Sequence, residues 1–128
     1  MIAHFILYVQ DQAASTAFYT RVLGQQPRLF VPGMTEFRLG EHAVLGLMPV
    51  AGVRRLLGSA LPDPAVAAGI PRAEIYLLTS DPDACHQRAL AAGAEELSPM
   101  APRDWGHRAA YSLDPDGHVL AFAGAFER

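Results

Sequence analysis

The sequence contains no lysine and no asparagine, and it has a single cysteine, Cys85. Without lysine, the chain cannot carry a phosphate-loop lysine, a Schiff base or a lysine general base. Without asparagine, it has no N-glycosylation site. One cysteine excludes both an intrachain disulfide and a cysteine zinc cluster, so we expect a reducing, cytoplasmic compartment.

Long apolar runs and a strong charge bias are also missing. No apolar run approaches the roughly 20 residues of a membrane helix, and the N-terminus lacks the basic start and apolar stretch of a signal peptide. We therefore expect no membrane partner. The formal net charge is −3 and the arginines are scattered, apart from the doublet Arg54-Arg55, so we expect no nucleic-acid partner either.

Hydrophobic periodicity in residues 4–48 predicts a strand, a helix and three further strands. His4 to Val9 is rich in β-branched and aromatic residues, and Asp11 after it is suited to cap a helix. The helix should run from Gln12 to Leu23, because apolar residues recur there at helical spacing and Gly24 follows. The three strands are expected at Arg28 to Val31, Thr35 to Leu39 and Ala43 to Met48.

The same order recurs in the second half of the chain. His4 and Glu74, which start the two first strands, are 70 residues apart, and so are the helix caps Asp11 and Asp81. The second helix should begin at Pro82 and end at Gly93. The remaining strands are expected at Glu74 to Thr79, Glu95 to Leu97, Arg108 to Leu113 and His118 to Ala123.

This duplication predicts an α+β fold made of two tandem βαβββ modules. The modules occupy residues 1–48 and 72–128 of a single domain, 1–128. Residues 49–71 between them are rich in glycine and proline, and we expect a linker with at most a short helix at 53–57.

Residues that match a known family extend over nearly the whole chain. They are His4 at the start of the first strand, Asp11, Phe18-Tyr19 and Leu23-Gly24 around the first helix, Trp105-Gly106-His107-Arg108, and the turn Leu113-Asp114-Pro115-Asp116-Gly117. With the duplication, they resemble the glyoxalase I/bleomycin-resistance/extradiol dioxygenase superfamily, also called vicinal oxygen chelate proteins. The resemblance implies that each module is a curled mixed sheet, a half-barrel with the helix on its outer face.

The resemblance also implies where a metal would bind. Many members hold a divalent metal with one ligand from the first and fourth strand of each module. In this sequence those positions carry His4, Gly46, Glu74 and Ala121, and glycine and alanine cannot bind metal. Swapped or unswapped pairing of chains leaves the same two ligands, whereas catalytic metals usually have three from the protein. We therefore expect no metal and no other cofactor.

Eight side chains are candidates for binding a ligand in the cavity that the resemblance implies. Strand alternation places His4 and Tyr8 on one face of their strand, and Glu74 and Tyr76 on one face of theirs. The resemblance implies that these faces, with Met48, line the cavity. The small residues Gly46 and Ala121 are expected to enlarge this cavity. The full candidate set is His4, Glu74, Tyr8, Tyr76, Met48, Arg38, Trp105 and Arg108, with the arginines placed to reach an anionic group.

The leading hypothesis is a homodimeric, metal-free protein that binds a small, partly apolar molecule, a drug or a metabolite. The alternative is a metal-dependent lyase, isomerase or dioxygenase with a rebuilt site on His4, Glu74 and one further group. That group would be His42, His107 or His118. A dimeric scaffold without a ligand is a third possibility. The sequence identifies neither the ligand nor a catalytic residue.

Overall fold

The computed structural model describes residues 1–125 and divides the chain into two compact units. The first unit contains residues 1–20 and 24–68, and the second contains residues 21–23 and the chain from residue 69 onward. Each unit has its own four-stranded mixed sheet, so the predicted α+β class and the duplicated βαβββ order are confirmed. No helix within residues 1–125 is long and apolar enough to cross a membrane.

The first sheet has the strand order β1-β4-β3-β2, with β1 parallel to β4 and the other neighbours antiparallel. Its chain order is β1 (Ala3–Val9), α1 (Gln12–Leu23), β2 (Leu29–Val31), β3 (Met34–Arg38), β4 (Ala43–Pro49) and α2 (Val50–Leu57), followed by two 3₁₀ turns at Gly58–Ala60 and Pro64–Ala67. A parallel first and fourth strand requires a long connection, which α1 and the β2–β3 hairpin provide.

Helix α1 begins and ends where the sequence predicts. The Asp11 carboxylate accepts a hydrogen bond from the backbone N–H of Ala14 at 2.9 Å, and Gly24 adopts the left-handed conformation with φ 66°. The helix lies against the side of the sheet that carries Thr35 and Phe37. On that side the Thr35 hydroxyl is 2.8 Å from the Thr16 hydroxyl, and the Phe37 ring is 6.5 Å from that of Tyr19.

The opposite side of the first sheet, away from α1, is called here the His4 face. Strand register places Ile6 opposite Gly46 and Gly46 opposite Glu36, so these three side-chain positions form one row across β1, β4 and β3. On these three strands the face comprises the alternating residues His4, Ile6, Tyr8, Met34, Glu36, Arg38, Val44, Gly46 and Met48.

The second sheet repeats the topology in the order β5-β8-β7-β6, with β5 parallel to β8. Its elements are β5 (Glu74–Leu78), α3 (Pro82–Ala91), β6 (Glu95–Pro102), β7 (His107–Leu113) and β8 (Val119–Ala125). Asp81 caps α3 by accepting from Ala84 N at 3.1 Å. The Asp114 carboxylate accepts from the N–H groups of Asp116 and His118, both at 2.9 Å, and thereby shapes the turn before β8.

Two elements differ from the prediction. Strand β6 continues to Pro102 instead of ending at Leu97, with irregular register on either side of Ser98. Prolines obscured this strand in the sequence because they are unfavourable in regular sheets and tolerated at such irregularities. Helix α2 starts at Val50, three residues earlier than expected. Its residues Val50, Gly52 and Val53 are buried.

Alanine substitution of two phenylalanines on neighbouring strands of the first unit should lower the free energy of unfolding by unequal amounts. Phe37 is fully buried, whereas Phe30 is 54% exposed. We expect Phe37→Ala to lower the free energy of unfolding by about 3–5 kcal/mol, because it leaves a cavity, and Phe30→Ala by less than about 1 kcal/mol. Urea unfolding of the two variants checks this. Equal losses would contradict the packing described here.

Candidate functional site

A histidine, a glutamate and an arginine are linked on the His4 face of the first unit. Glu36 Oε2 is 3.4 Å from His4 Nδ1, and Glu36 Oε1 is 3.0 Å from both Nε and Nη2 of Arg28. The Glu36 side chain is only 16% exposed, so these partners compensate for its desolvation. The prediction omitted Glu36. Its alternation with the core residues Thr35 and Phe37 was the available signal, since it places Glu36 on the face opposite the core.

The space above Gly46 is not open, contrary to the expectation that a small residue enlarges a cavity there. A Cβ added to Gly46 would lie 3.0 Å from Ile6 Cγ1 and 3.5 Å from Met34 Sδ. Neighbouring side chains on β1 and β3 therefore occupy the space that a longer side chain at position 46 would use.

The other candidates of the first unit lie at the ends of its strands. Tyr8 and Met48 are register partners on the His4 face and are both half-buried. Arg38 is at the end of β3, where its Nη1 faces the carbonyl oxygens of Gly40 and Glu41 at 3.4 and 3.3 Å. Arg38 thus contributes to the turn that leads into β4.

The side of the second sheet opposite α3, called here the Tyr76 face, carries three hydrogen-bonded aromatic side chains. Trp105 Nε1 donates to the Tyr76 hydroxyl at 2.9 Å, and this hydroxyl is 2.8 Å from His107 Nδ1. The Tyr76 and His107 rings are stacked, with centroids 5.8 Å apart and planes at 28°. Trp105 remains 57% exposed. We call these three residues the aromatic relay.

The alanines of β8 provide room for the aromatic relay. Register places Ala121 between Tyr76 and Tyr111, while the partner of His107 is Ala125. To reach His107, the Tyr76 side chain must extend along β8 towards Ala125. Ala121 and Ala123 are fully buried despite their small size. Ala121 is thus a small residue beside the large side chain of Tyr76. Gly46 is likewise a small residue beside Ile6 in the first unit.

Tyr111 and Arg103 form a second pair on the Tyr76 face. The Arg103 guanidinium lies 5.0 Å from the centre of the Tyr111 ring, and Nη2 donates to Ser98 Oγ and Ala109 O at 2.7 Å. Burial raises the pKa of the Tyr111 hydroxyl above its ordinary value, the charges of Glu74 and Tyr76 raise it further, and Arg103 lowers it.

The two remaining candidates are in different environments. Glu74 begins β5 and is exposed on the Tyr76 face. Arg108 lies on the other side of its strand, because its Nη1 is bonded to Asp83 on α3. The structure therefore brings Trp105 and Tyr76 into direct contact and places Arg108 on the α3 side of the second sheet.

A sequence model of the Glyoxalase/Bleomycin resistance protein/Dioxygenase superfamily matches residues 1–122. The chain belongs to this superfamily. An uncharacterised protein of Mycobacterium bovis is 32% identical over 117 residues, which is 88% of this chain and 75% of the relative.

Solved structures of the superfamily have the same fold. A glyoxalase/bleomycin resistance protein/dioxygenase from Nocardioides is 27% identical, with a TM-score of 0.77 over 99% of this chain and 84% of that one. A glyoxalase-related enzyme from Fulvimarina pelagi has a TM-score of 0.80 at 23% identity, covering 97% of this chain and 87% of that one. The second likeness shows the fold alone.

The donor set does not fit the metal centre that the resemblance implies for many superfamily members. Gly46 and Ala121 supply no donor atom, and the space beside Gly46 is occupied by Ile6. In the part of the chain from residue 1 to residue 125, no three His, Cys, Asp or Glu side chains are grouped to hold a metal ion.

The histidines considered as a third ligand have other surroundings. His42 is 72% exposed beside Glu41, and His118 is buried with 2% of its surface exposed. His107 belongs to the aromatic relay. Its role was missed because the sequence does not show that Tyr76, 31 residues earlier, reaches it. The Trp105-Gly106-His107 motif was the only hint.

The surroundings of Tyr111 predict a change in its titration. Glu74→Gln removes a negative charge that raises the pKa of Tyr111, so this pKa should move down towards its ordinary value. Glu41→Gln is the matched control, because Glu41 is 87% exposed in the first unit. NMR titration of the tyrosine ring signals, assigned with Tyr111→Phe, measures both. An equal shift in the two variants would contradict the described electrostatics.

The same raised pKa determines the sign of a stability effect. Because the folded-state pKa of Tyr111 lies above the unfolded one, its contribution to the free energy of unfolding is complete below the unfolded pKa. That contribution is lost as the pH rises from the unfolded to the folded pKa. Glu74→Gln should weaken this alkaline loss, and denaturant unfolding at several alkaline pH values would show it.

Proposed function

We propose that this protein binds a small, partly apolar molecule, such as a drug or a metabolite, on the helix-free faces of its sheets and without a resident metal. The aromatic relay is the observation that carries the proposal. Trp105 is 57% exposed, yet its indole N–H is bonded to Tyr76. A large aromatic surface that is both exposed and held in one orientation is well suited to contact a ligand.

The exposure of Trp105 argues against the simpler role of covering a core edge. A covering side chain would itself be mostly buried, whereas more than half of the Trp105 surface faces outward. Leu78, which shares the Tyr76 face by strand alternation, is 62% exposed. Apolar surface beside oriented polar groups is the usual composition of a small-molecule site.

The His4 face supports the same function with a different chemistry. Arg28 and Glu36 hold a charged pair beside His4, and the His4 side chain is 38% exposed. An imidazole whose Nδ1 faces a carboxylate is favoured with its proton on Nδ1, which leaves Nε2 as an acceptor. His4 would then act as a polar anchor for a ligand on the first sheet.

The metal-free part of the proposal is supported by the donor atoms at the four strand positions of the superfamily. Two of the four positions have no donor, and the metal-dependent lyase, isomerase or dioxygenase needs a third protein ligand. Within residues 1–125 no group of three donors favours that alternative. A homodimer in the cytoplasm remains the expected form of the protein.

The proposed function predicts saturable binding of an apolar fluorescent probe, 8-anilino-1-naphthalenesulfonate. We expect Trp105→Ala to weaken this binding by about five- to tenfold, the effect of losing one aromatic contact. Phe30→Ala is the matched control, because it removes an exposed ring from the first unit on the side away from the His4 face. Fluorescence titration gives the affinities, and the ellipticity of each variant verifies folding.

Two results would contradict the proposal. An unchanged affinity of Trp105→Ala for the probe would show that the aromatic relay is not part of the binding site. About one tightly bound metal per chain, or probe binding that disappears with a chelator, would refute the metal-free part. Elemental analysis of the purified protein measures the amount of bound metal per chain directly.

A further inference from the structure

The aromatic relay has a fixed hydrogen-bond direction at one end. An indole N–H can only donate, so the Tyr76 oxygen must accept from Trp105 Nε1. The hydroxyl retains one proton of its own. His107 Nδ1 is 2.8 Å from the same oxygen and is its second partner. The position of that one proton decides which nitrogen of His107 carries hydrogen.

Two arrangements of a neutral His107 are conceivable. If Nδ1 carries the proton, the Tyr76 oxygen accepts two hydrogen bonds, and its own O–H has no acceptor within residues 1–125. If Nε2 carries the proton, the Tyr76 hydroxyl donates to Nδ1, and both the indole N–H and the Tyr76 O–H have an acceptor. The second arrangement is favoured because it leaves one polar group without a partner in the described chain, the Nε2–H, whereas the first leaves two, the Tyr76 O–H and the Nε2 lone pair. Each unpaired group costs about 1 kcal/mol or more.

The relay therefore presents an N–H group at its outer end. His107 is half-buried, and no residue between positions 1 and 125 accepts a hydrogen bond from its Nε2. Protonation of the imidazole does not remove this donor, because both ring nitrogens carry hydrogen in the cation. The donor is thus available in either charge state of His107.

We propose that His107 Nε2–H selects ligands that carry an oxygen acceptor, a carbonyl or a carboxylate, on an apolar group. This inference rests on the proposed function and adds the chemical class of the ligand. Stacking on Tyr76 fixes the imidazole plane, and exposed Trp105 supplies apolar surface next to it. A ligand without an acceptor leaves the N–H unpaired on binding, and that loss lowers its affinity.

A matched pair of probes tests the acceptor requirement. Acetophenone and ethylbenzene differ by one carbonyl oxygen, and NMR titration can follow the indole signal of Trp105, the single tryptophan of the chain. We expect acetophenone to bind about five- to tenfold more tightly than ethylbenzene, the effect of one hydrogen bond. Phenylacetate in a third titration separates the two acceptors: tighter binding than acetophenone identifies a carboxylate ligand, and weaker binding a carbonyl ligand.

Variants of two histidines test whether the preference for acetophenone over ethylbenzene comes from the aromatic relay. In His107→Phe, which keeps a ring against Tyr76, acetophenone should lose its advantage while ethylbenzene keeps its affinity. His42→Phe removes a histidine that is 72% exposed in the first unit, and it should retain the full preference. Equal binding of the two probes to the unmodified protein would overturn the inference but leave the proposed function intact. Failure of both to shift the indole signal would refute the proposed function itself.

The tautomer of His107 gives a test that does not depend on any ligand. Nitrogen-15 NMR of the imidazole, assigned by its absence in His107→Phe, should show hydrogen on Nε2 and an unprotonated Nδ1 at alkaline pH. Trp105→Phe removes the bond that fixes the direction, so the Nδ1–H form should become appreciably populated there. Hydrogen on Nδ1 in the unmodified protein, or no change in Trp105→Phe, would overturn the inference.

Discussion

The parallel pairing of each first strand with its fourth strand is the constraint on which both candidate faces depend. It places Ile6 beside Gly46 in the first sheet and Tyr76 beside Ala121 in the second. Any side chain at position 46 or 121 must share space with these neighbours. The two small residues therefore permit close packing on both faces, although the neighbours are an aliphatic chain in one sheet and an aromatic ring in the other.

Both faces have a small residue beside a large neighbour, but they carry different polar groups. In the first unit, Glu36 joins His4 to Arg28; the Glu36–Arg28 pair is ionic, so its interaction weakens with salt. In the second unit, Tyr76 joins Trp105 to His107 through hydrogen bonds whose direction follows from the donors available. The first sheet thus presents charged groups and the second sheet an oriented hydrogen-bond donor.

Local signals in the sequence were sufficient for most of the fold. Alternation identified the strands, and Asp11 and Gly24 fixed the first helix, because caps and periodicity act over a few residues. Contacts across strands were harder to predict. Glu36 and His107 gain their partners only through register and side-chain direction, which no short motif encodes. The opposite orientation of Arg108 was accessible, since it alternates with His107 along β7.

The contact between Gly46 and Ile6 also determines how a metal ligand could be engineered into this face. Introduction of a carboxylate at position 46 would be hindered while Ile6 and Met34 remain, because the first added carbon would already lie 3.0 Å from Ile6 Cγ1. The order of substitutions would matter: smaller neighbours first, then the acidic residue. A carboxylate introduced at position 46 alone would strain the first sheet, and it would still leave position 121 without a donor atom.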